Sequence, residues 1–293
     1  DAEAPLKLEG RWDLALVLQP RFKILWALWR AGVRHRLGPL SKWYSFILLT
    51  AGLRQRRSKV EMHEADYNLQ LLKLLGIEVG SRTVLPKVAV GAEAKAEFSE
   101  WWESQGGDSG VRHWVAIHPG MGGSALNWPE ENYIKLADAL LREGSGVIVT
   151  GGPTEQGILD RFESALKSAH GTRMRTFGGA RASDVQRLAA VYQKAAVVVA
   201  PSTGPLHVAA AAGARVVSFY PPIRVQSALR WGPYVAEWPG REDESKASVL
   251  VPEVHCGQDF KCRGQACAYY PCMSTLSVTQ ALGLVQNHLK RST

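Results

Sequence analysis

The chain has 293 residues, of which 46% are hydrophobic, and a formal net charge of +8. This length is sufficient for two α/β domains or one large one, each with its own core. Apolar runs such as Phe46 to Leu49 are far shorter than the roughly 20 residues that span a bilayer, so no transmembrane helix is predicted. Residues 1–5 lack the basic and apolar parts of a secretory signal, and we therefore expect a cytoplasmic protein.

The N-terminal third combines a predicted strand at residues 14–18, a predicted helix at 66–75 and a strongly basic segment at 21–59. No acidic residue lies between Asp13 and Glu61. Aromatic residues are interleaved with the cations, a mixture that suits the headgroup region of an anionic membrane. Segment 21–59 therefore predicts peripheral contact with the inner face of the inner membrane. A solvated basic helix face is an equally good interpretation, and nucleic acid is disfavoured because no recognised nucleic-acid motif is present.

Residues 80–113 are polar and rich in Lys, Glu, Ser and Gly, which is typical of a connection between domains. We therefore predict an N-terminal domain over residues 1–108 and a second domain over 109–276. Residues 277–293 are predicted to form a closing helix, with its amphipathic part at 278–289.

From residue 111 onward, short β-branched runs alternate with helical patterns, which predicts a parallel sheet covered on both faces. The predicted strands are 114–117, 147–150, 173–177, 197–199 and 215–220. Helices are predicted to begin at Pro129, after a cap at Thr154, and after a cap at Ser183, and a short helix is predicted to end at Gly213.

Three of the predicted strands end in loops that are rich in glycine and hydroxyl residues and that open a helix. Free amides and the positive end of a helix dipole at such points favour an anion. Ligands in open parallel sheets bind beyond the carboxyl ends of the strands, so we expect these loops to share one diphosphate. Each loop alone also has an ordinary structural explanation, as a turn or a helix start. The candidate binding residues are Gly120, Ser124, Gly152, Glu155, Ser202, Thr203, Gly204 and His207.

The order of these motifs resembles that of the lipopolysaccharide heptosyltransferases of glycosyltransferase family 9. The similarity extends over about residues 14–289, and Ser-Thr-Gly-Pro-Leu-His at 202–207 is its most specific element. The other matching segments are 118–120, 127–130, 150–155 and 230–233. The resemblance implies an α/β, GT-B-like fold, with two Rossmann-like domains whose parallel sheets face a cleft and a first domain that is incomplete.

The resemblance also implies roles for several residues and an inverting, metal-independent transfer by direct displacement. Thr203, Gly204 and His207 would bind the diphosphate and sugar, and Glu155 the nucleoside ribose. The expected partners are a nucleotide-diphosphate sugar, ADP-heptose above all, and a lipid-linked or lipopolysaccharide acceptor. No Asp-x-Asp pair occurs to bind a bridging metal, and no cofactor is expected.

Three departures from the family pattern bear on this function. Leu126 stands where the family often has a lysine, and Ser202 where it often has an aspartate. A missing cation weakens the charge-assisted binding of a diphosphate. Family members also begin with a strand and a Gly-Asp loop whose aspartate is the expected general base. This sequence starts after that loop, and no other residue replaces the base, so the catalytic residue is unknown.

Four cysteines lie near the C-terminus, at spacings wider than those of zinc ribbons. Ordinary thiols are favoured over a metal or redox site for Cys256, Cys262, Cys267 and Cys272. The leading hypothesis is thus a glycosyltransferase that moves a sugar, most simply a heptose, to a lipopolysaccharide core or a related surface glycan. A nucleotide-sugar-binding or scaffold protein with impaired catalysis is the alternative, because the expected base is absent from this sequence.

Overall fold

The computed structural model describes residues 12–81, 84–108, 110–123, 125–236 and 245–292. The chain divides into two compact units, Asp1–Val84 and Leu85–Thr293. The elements of the first unit are β1 Leu14–Leu16, α1 Phe22–Arg30, β2 His35–Pro39, α2 Trp43–Leu48, β3 Ala51–Leu53 and α3 Glu64–Gln70, with 3-10 turns at Arg57–Lys59 and Leu71–Leu75.

The elements of the second unit alternate between helix and strand over most of its length. They are α4 Ala92–Ser104, β4 Trp114–Ile117, α5 Glu130–Arg142, β5 Gly146–Gly151, α6 Gln156–His170, β6 Met174–Gly178, α7 Ala180–Ser183, α8 Val185–Lys194, β7 Val197–Pro201, α9 Gly204–Ala211, β8 Arg215–Phe219, α10 Ala228–Trp231, β9 Ala247–Leu250 and α11 Val278–Lys290. Further 3-10 turns are Pro153–Glu155, Gly171–Arg173, Arg224–Gln226, Gly264–Ala266 and Cys272–Thr275.

The first unit contains a parallel sheet with the strand order β1-β2-β3. Leu25 and Leu28 of α1 and Leu48 of α2 pack with Val17 and Val33 into one small core. The predicted strand at 14–18 is confirmed as β1. The predicted helix at 66–75 is α-helical only to Gln70, and a 3-10 turn continues the chain to Leu75.

The second unit contains a six-stranded sheet with the order β6-β5-β4-β7-β8-β9, in which every neighbouring pair is parallel. All the residues of β4, β5 and β7 are buried, as expected for strands covered by helices on both faces. One buried cluster includes α5, α6 and α11, and a second includes α4, α8 and α9. The predicted doubly covered parallel sheet is confirmed, and β9 is a strand that the sequence pattern did not predict.

Helix α4 belongs to the second unit, so the division between the units lies before the predicted boundary at 108/109. Its residues Trp101 and Trp102 are buried in the core of the second unit. The guanidinium of Arg175, on β6, lies 4.1 Å from the ring centroid of Trp102 and 4.3 Å from that of Trp114. Because these contacts join α4 to the sheet, the first unit ends at Val84.

The helix ends in the second unit correct several local predictions. Asp184, not Ser183, caps α8, because its carboxylate accepts from the amides of Gln186 and Arg187. Thr154 lies in a 3-10 turn, and α6 begins after Glu155. Helix α11 packs on α5 and on the sheet, so residues 277–293 belong to the second unit and are not a separate region.

Candidate functional site

The strand order of the second unit creates a crevice between β4 and β7. Strands β5 and β6 extend the sheet on one side of β4, whereas β8 and β9 extend it beyond β7. The loops that follow β4 and β7 therefore leave the sheet in opposite directions at this switch point, where open α/β sheets bind ligands. These are the loops that carry two of the three predicted anion-binding segments.

A cavity of about 460 Å³ lies beside the loop after β7. Four of the predicted residues line it, namely Ser202, Thr203, Gly204 and His207. The remaining lining residues are Ala125 from the loop after β4 and Val225, Gln226, Arg230 and Trp231 from the segment after β8. The segment after β8 was not among the predicted site residues, although its position beyond a parallel strand and its Arg-Trp pair were visible in the sequence.

The first turn of α9 forms one wall of the cavity. Thr203 is the N-cap residue, with an extended backbone, and its side chain does not bond to the helix amides. Its hydroxyl therefore remains available to a ligand. A Cβ atom at Gly204 would meet nothing within 4 Å, so this position is open to an approaching group. Free amides at a helix start carry partial positive charge and favour a phosphate.

Tyr220, at the end of β8, positions the opposite wall. Its buried hydroxyl donates to the carbonyl oxygen of Trp231 at 2.5 Å, and burial raises its pKa. The indole nitrogen of Trp231 donates to the carbonyl oxygen of Val225 at 2.9 Å. The first bond joins α10 to the end of β8, and the second joins it to the neighbouring 3-10 turn and fixes the indole at the cavity.

The second wall also supplies a cation and an amide. The Arg230 guanidinium lies 5.0 Å from the Trp231 ring centroid. The side-chain oxygen of Gln226 is buried and makes no hydrogen bond with the described residues. A buried acceptor without a partner costs free energy, and a bound ligand or water that donates to it recovers that cost.

The loop after β5 does not join this cavity, so the expected sharing of one ligand by three loops is not what the described residues show. Glu155 instead makes its contacts with the loops themselves. Its carboxylate accepts from the amide of Gly152 at 2.7 Å. It also lies against Gly120, where a Cβ atom would come within 1.8 Å of the carboxylate. Glu155 thus links the loops after β4 and β5, and its predicted contact with a ribose stays a prediction.

Beneath Glu155 lies a buried chain of polar groups. The Nε2 atom of His118 is 3.7 Å from the Glu155 carboxylate, and its Nδ1 atom is 3.0 Å from the Thr150 hydroxyl. That hydroxyl is 3.2 Å from the Tyr192 hydroxyl. Burial lowers the pKa of His118, and the nearby Glu155 carboxylate offsets part of this effect. His118 is therefore neutral near pH 7 and serves to hold the loop.

The segment 127–130, which carried part of the resemblance, is structural. Trp128 is 1% exposed, stacks on Phe219 with ring centroids 4.3 Å apart, and donates to the carbonyl oxygen of Leu276 at 2.8 Å. Asn127 donates to the carbonyl oxygen of Pro119 at 2.8 Å and accepts from the Tyr133 hydroxyl. These contacts anchor the loop after β4 rather than bind a ligand directly.

Ser124 and the four cysteines complete the set of predicted site residues. Ser124 falls outside the described residues. The four cysteines are free and line one narrow cavity beside Leu126 and Ile223. Within the described part of the chain, no three His, Cys, Asp or Glu side chains are arranged to bind a metal ion.

No helix among the described residues is long and apolar enough to cross a bilayer.

The fold and the site together define an α/β protein with a ligand cavity at the switch point of a doubly wound parallel sheet. Residues 6–240 match the family model of glycosyltransferase family 9 (heptosyltransferase). This chain is a member of that family.

Individual relatives are consistent with this assignment. The chain is 31% identical over 209 residues to a Haemophilus influenzae protein that is provisionally named a glycosyltransferase, a match covering 70% of this chain and 59% of that protein. The chain thus spans about three-fifths of that relative's length.

Two solved structures share the fold. A family 9 glycosyl transferase from Veillonella parvula superposes with a TM-score of 0.75 at 20% identity, covering 97% of this chain and 75% of the other. The E. coli ADP-heptose lipopolysaccharide heptosyltransferase II gives 0.72 at 19% identity, covering 95% and 77%. These matches confirm the predicted GT-B-like α/β fold class with parallel sheets.

Proposed function

We propose that this protein transfers a heptose from ADP-heptose to a lipopolysaccharide core or related surface-glycan acceptor, with inversion and without a metal. One observation carries the proposal. Four residues of the most specific family motif line a cavity at the sheet's switch point, together with a cation and an indole; they are Ser202, Thr203, Gly204 and His207. The name of the E. coli relative supplies the choice of ADP-heptose.

The size and chemistry of the cavity suit a nucleotide diphosphate. Its volume of about 460 Å³ falls in the range typical of small-molecule sites. The Trp231 indole, which is 37% exposed, offers a surface on which a nucleobase can stack. The amides at the start of α9 and the Thr203 hydroxyl offer hydrogen bonds to the phosphates.

Arg230 offers a positive charge that can replace the lysine often found at position 126 in the family. Leu126 stands where the family often has a lysine, and it lies at the cavity of the four cysteines. Arg230 lines the cavity that Thr203 also lines. A guanidinium binds phosphate oxygens through two parallel hydrogen bonds, so it can replace an ammonium group there. We therefore assign diphosphate binding to Arg230, Thr203 and the α9 amides.

The transfer itself is a single displacement at the anomeric carbon. The acceptor hydroxyl oxygen forms the new bond to this carbon, and the bond from the carbon to the β-phosphate oxygen breaks. The nucleoside diphosphate leaves with the electron pair, and the hydroxyl proton passes to a general base. Arg230 and the α9 amides stabilise the charge that grows on the leaving diphosphate.

Calorimetry with ADP-heptose, followed by turnover with a deacylated core acceptor, tests the proposal. We expect Thr203→Val to weaken ADP-heptose binding by about 10-fold, because it removes one hydrogen bond to a charged group. Thr172→Val is the matched control, since Thr172 is exposed in a 3-10 turn before β6 and away from the cavity. GDP- and UDP-sugars serve as competitors.

The outcomes separate the possible functions. If the wild type binds and turns over ADP-heptose, and only Thr203→Val loses affinity, the transferase function is supported. Binding without turnover supports a nucleotide-sugar-binding or scaffold function. No binding of any nucleotide sugar, or equal affinity in both variants, would contradict the assignment of the cavity.

A further inference from the structure

An exposed aromatic surface covers one side of the first unit. It consists of Phe22, Trp26, Trp29, Trp43, Phe46 and Ile47, and we call it the aromatic face. Each of these side chains is between 41% and 71% exposed. Single exposed apolar side chains are common on proteins, but a contiguous group of this kind marks an interaction surface.

The positions of these residues follow from helix geometry. Phe22, Trp26 and Trp29 are spaced four and three residues apart, so they lie on the same side of α1. Leu25 and Leu28 lie on the adjacent side of α1 and are buried in the small core. Because the buried stripe already packs against the sheet, the aromatic stripe is a second apolar surface that the core does not use.

Contacts between rings make the face continuous across two helices. Phe22 and Trp26 stack with ring centroids 6.0 Å apart, and Trp26 and Trp29 at 4.9 Å. Phe22 meets Tyr44 of α2 edge to face at 5.6 Å, and Tyr44 meets Trp43 in the same way at 5.6 Å. The Tyr44 hydroxyl donates to the carbonyl oxygen of Pro20, which holds α2 against the start of α1.

Charge around the face has a single sign. Lys23, Arg30, Lys42 and Arg54 are exposed, and the Arg54 guanidinium lies 5.9 Å from the Phe46 ring centroid. No acidic residue occurs from position 14 to position 60. The partner of this face is therefore both apolar and anionic.

We propose that the aromatic face docks on the surface of an anionic lipid bilayer. Tryptophan rings favour the headgroup level, where their apolar body and their N–H group are both satisfied, and lysine and arginine beside them pair with lipid phosphates. Nucleic acid is a weaker match, because these rings stack on one another instead of standing apart to receive bases. Docking places the first unit at the membrane surface, where a lipid-linked acceptor resides.

Cosedimentation of the full chain with sucrose-loaded vesicles tests this inference without any nucleotide, so its result is independent of donor binding. Vesicles of phosphatidylglycerol and phosphatidylcholine are compared with phosphatidylcholine alone at low salt. We expect the chain to sediment with the anionic vesicles and to be released by high salt.

Two sets of variants separate charge from apolar contact. Each cation near an anionic surface contributes about five-fold in binding, so Lys23→Gln/Arg30→Gln/Lys42→Gln is expected to lose about 100-fold. The control Lys135→Gln/Arg181→Gln/Lys261→Gln removes three exposed cations from the second unit and lowers net charge equally. Trp26→Ser/Trp29→Ser/Trp43→Ser is expected to abolish binding, whereas Phe260→Ser, which removes an exposed ring of the second unit, is not.

Circular dichroism of every variant verifies that the fold is intact. Equal loss of binding in the charge variant and its control would show a non-specific charge effect and would overturn the proposal. So would a wild-type chain that ignores anionic vesicles, or one that binds an oligonucleotide in preference to them. A chain that instead self-associates through the tryptophans, as measured by sedimentation velocity, would show that the face joins two copies.

Discussion

At the scale of single residues, the informative pair is Gly120 and Glu155. A side chain at position 120 would overlap the carboxylate that accepts from Gly152. Glycine is therefore needed here to admit a neighbouring side chain, and φ at this position is not in the left-handed region. The same carboxylate lies near His118, so the two loops depend on one side chain.

We expect Gly120→Ala to lower the free energy of unfolding by about 1–3 kcal/mol, because it displaces Glu155 and leaves the Gly152 amide without its partner. Urea unfolding measures the change. Gly122→Ala is the matched control, since a Cβ atom there meets nothing within 4 Å. In a Glu155→Ser background, Gly120→Ala should cost much less. An equal cost in both backgrounds would show that the two residues act independently.

At the scale of elements, two tryptophans from segments that match the family, 127–130 and 230–233, have different roles. Trp128 is buried between the start of α5 and the sheet, whereas Trp231, at the end of α10, is partly exposed at the cavity. Both donate an indole hydrogen bond to a backbone carbonyl. Their difference lies in the packing around the ring.

Trp128→Ala is expected to destabilise the fold by about 3–5 kcal/mol, as is typical of a large buried aromatic residue. Trp231→Ala is expected to lower the free energy of unfolding by less than this. It is expected to weaken ADP-heptose binding by about 10-fold or more, because the base loses its stacking partner. Urea unfolding and calorimetry distinguish these effects. If Trp231→Ala left affinity unchanged, the base would not stack at that position.

At the scale of the whole molecule, buried histidines make folding sensitive to acid. His288 is 1% exposed, and burial together with the charges of Arg215 and Arg291 lowers its pKa to about 4. Burial also lowers the pKa of His118. Both side chains take up a proton more readily in the unfolded chain than in the folded protein.

Their contribution to stability is therefore complete above about pH 6.5 and is lost as the pH falls toward 4. For His288 the loss is on the order of 3 kcal/mol. Urea unfolding between these pH values should show a clear slope in the wild type and a shallower one in His288→Gln. His255→Gln, at an exposed histidine, is the control and should keep the wild-type slope. An unchanged slope in His288→Gln would mean that folding does not lower the pKa of His288.

The alternation of strands and helices in the second unit was predictable from local pattern, because a buried parallel strand is a local run of β-branched residues. Local pattern also identified the segment from Ser202 to His207, since glycine and hydroxyl residues before a helix have a local signature. Helix α4 was missed because its sequence is largely polar around Trp101 and Trp102. These two side chains are buried only because the helix packs on the sheet, where Arg175 contacts Trp102.

Which loops line the cavity depends on the tertiary fold. Strand order places the loop after β7 beside Ala125 and the segment after β8. The loop after β5 lies outside this cavity, and its Gly152 amide donates to the Glu155 carboxylate. The tertiary structure likewise turned Trp128 into core and left Trp231 at the cavity. Contacts of this kind join residues far apart in the chain, so no local pattern encodes them, whereas strand and helix formation depends on neighbours a few positions away.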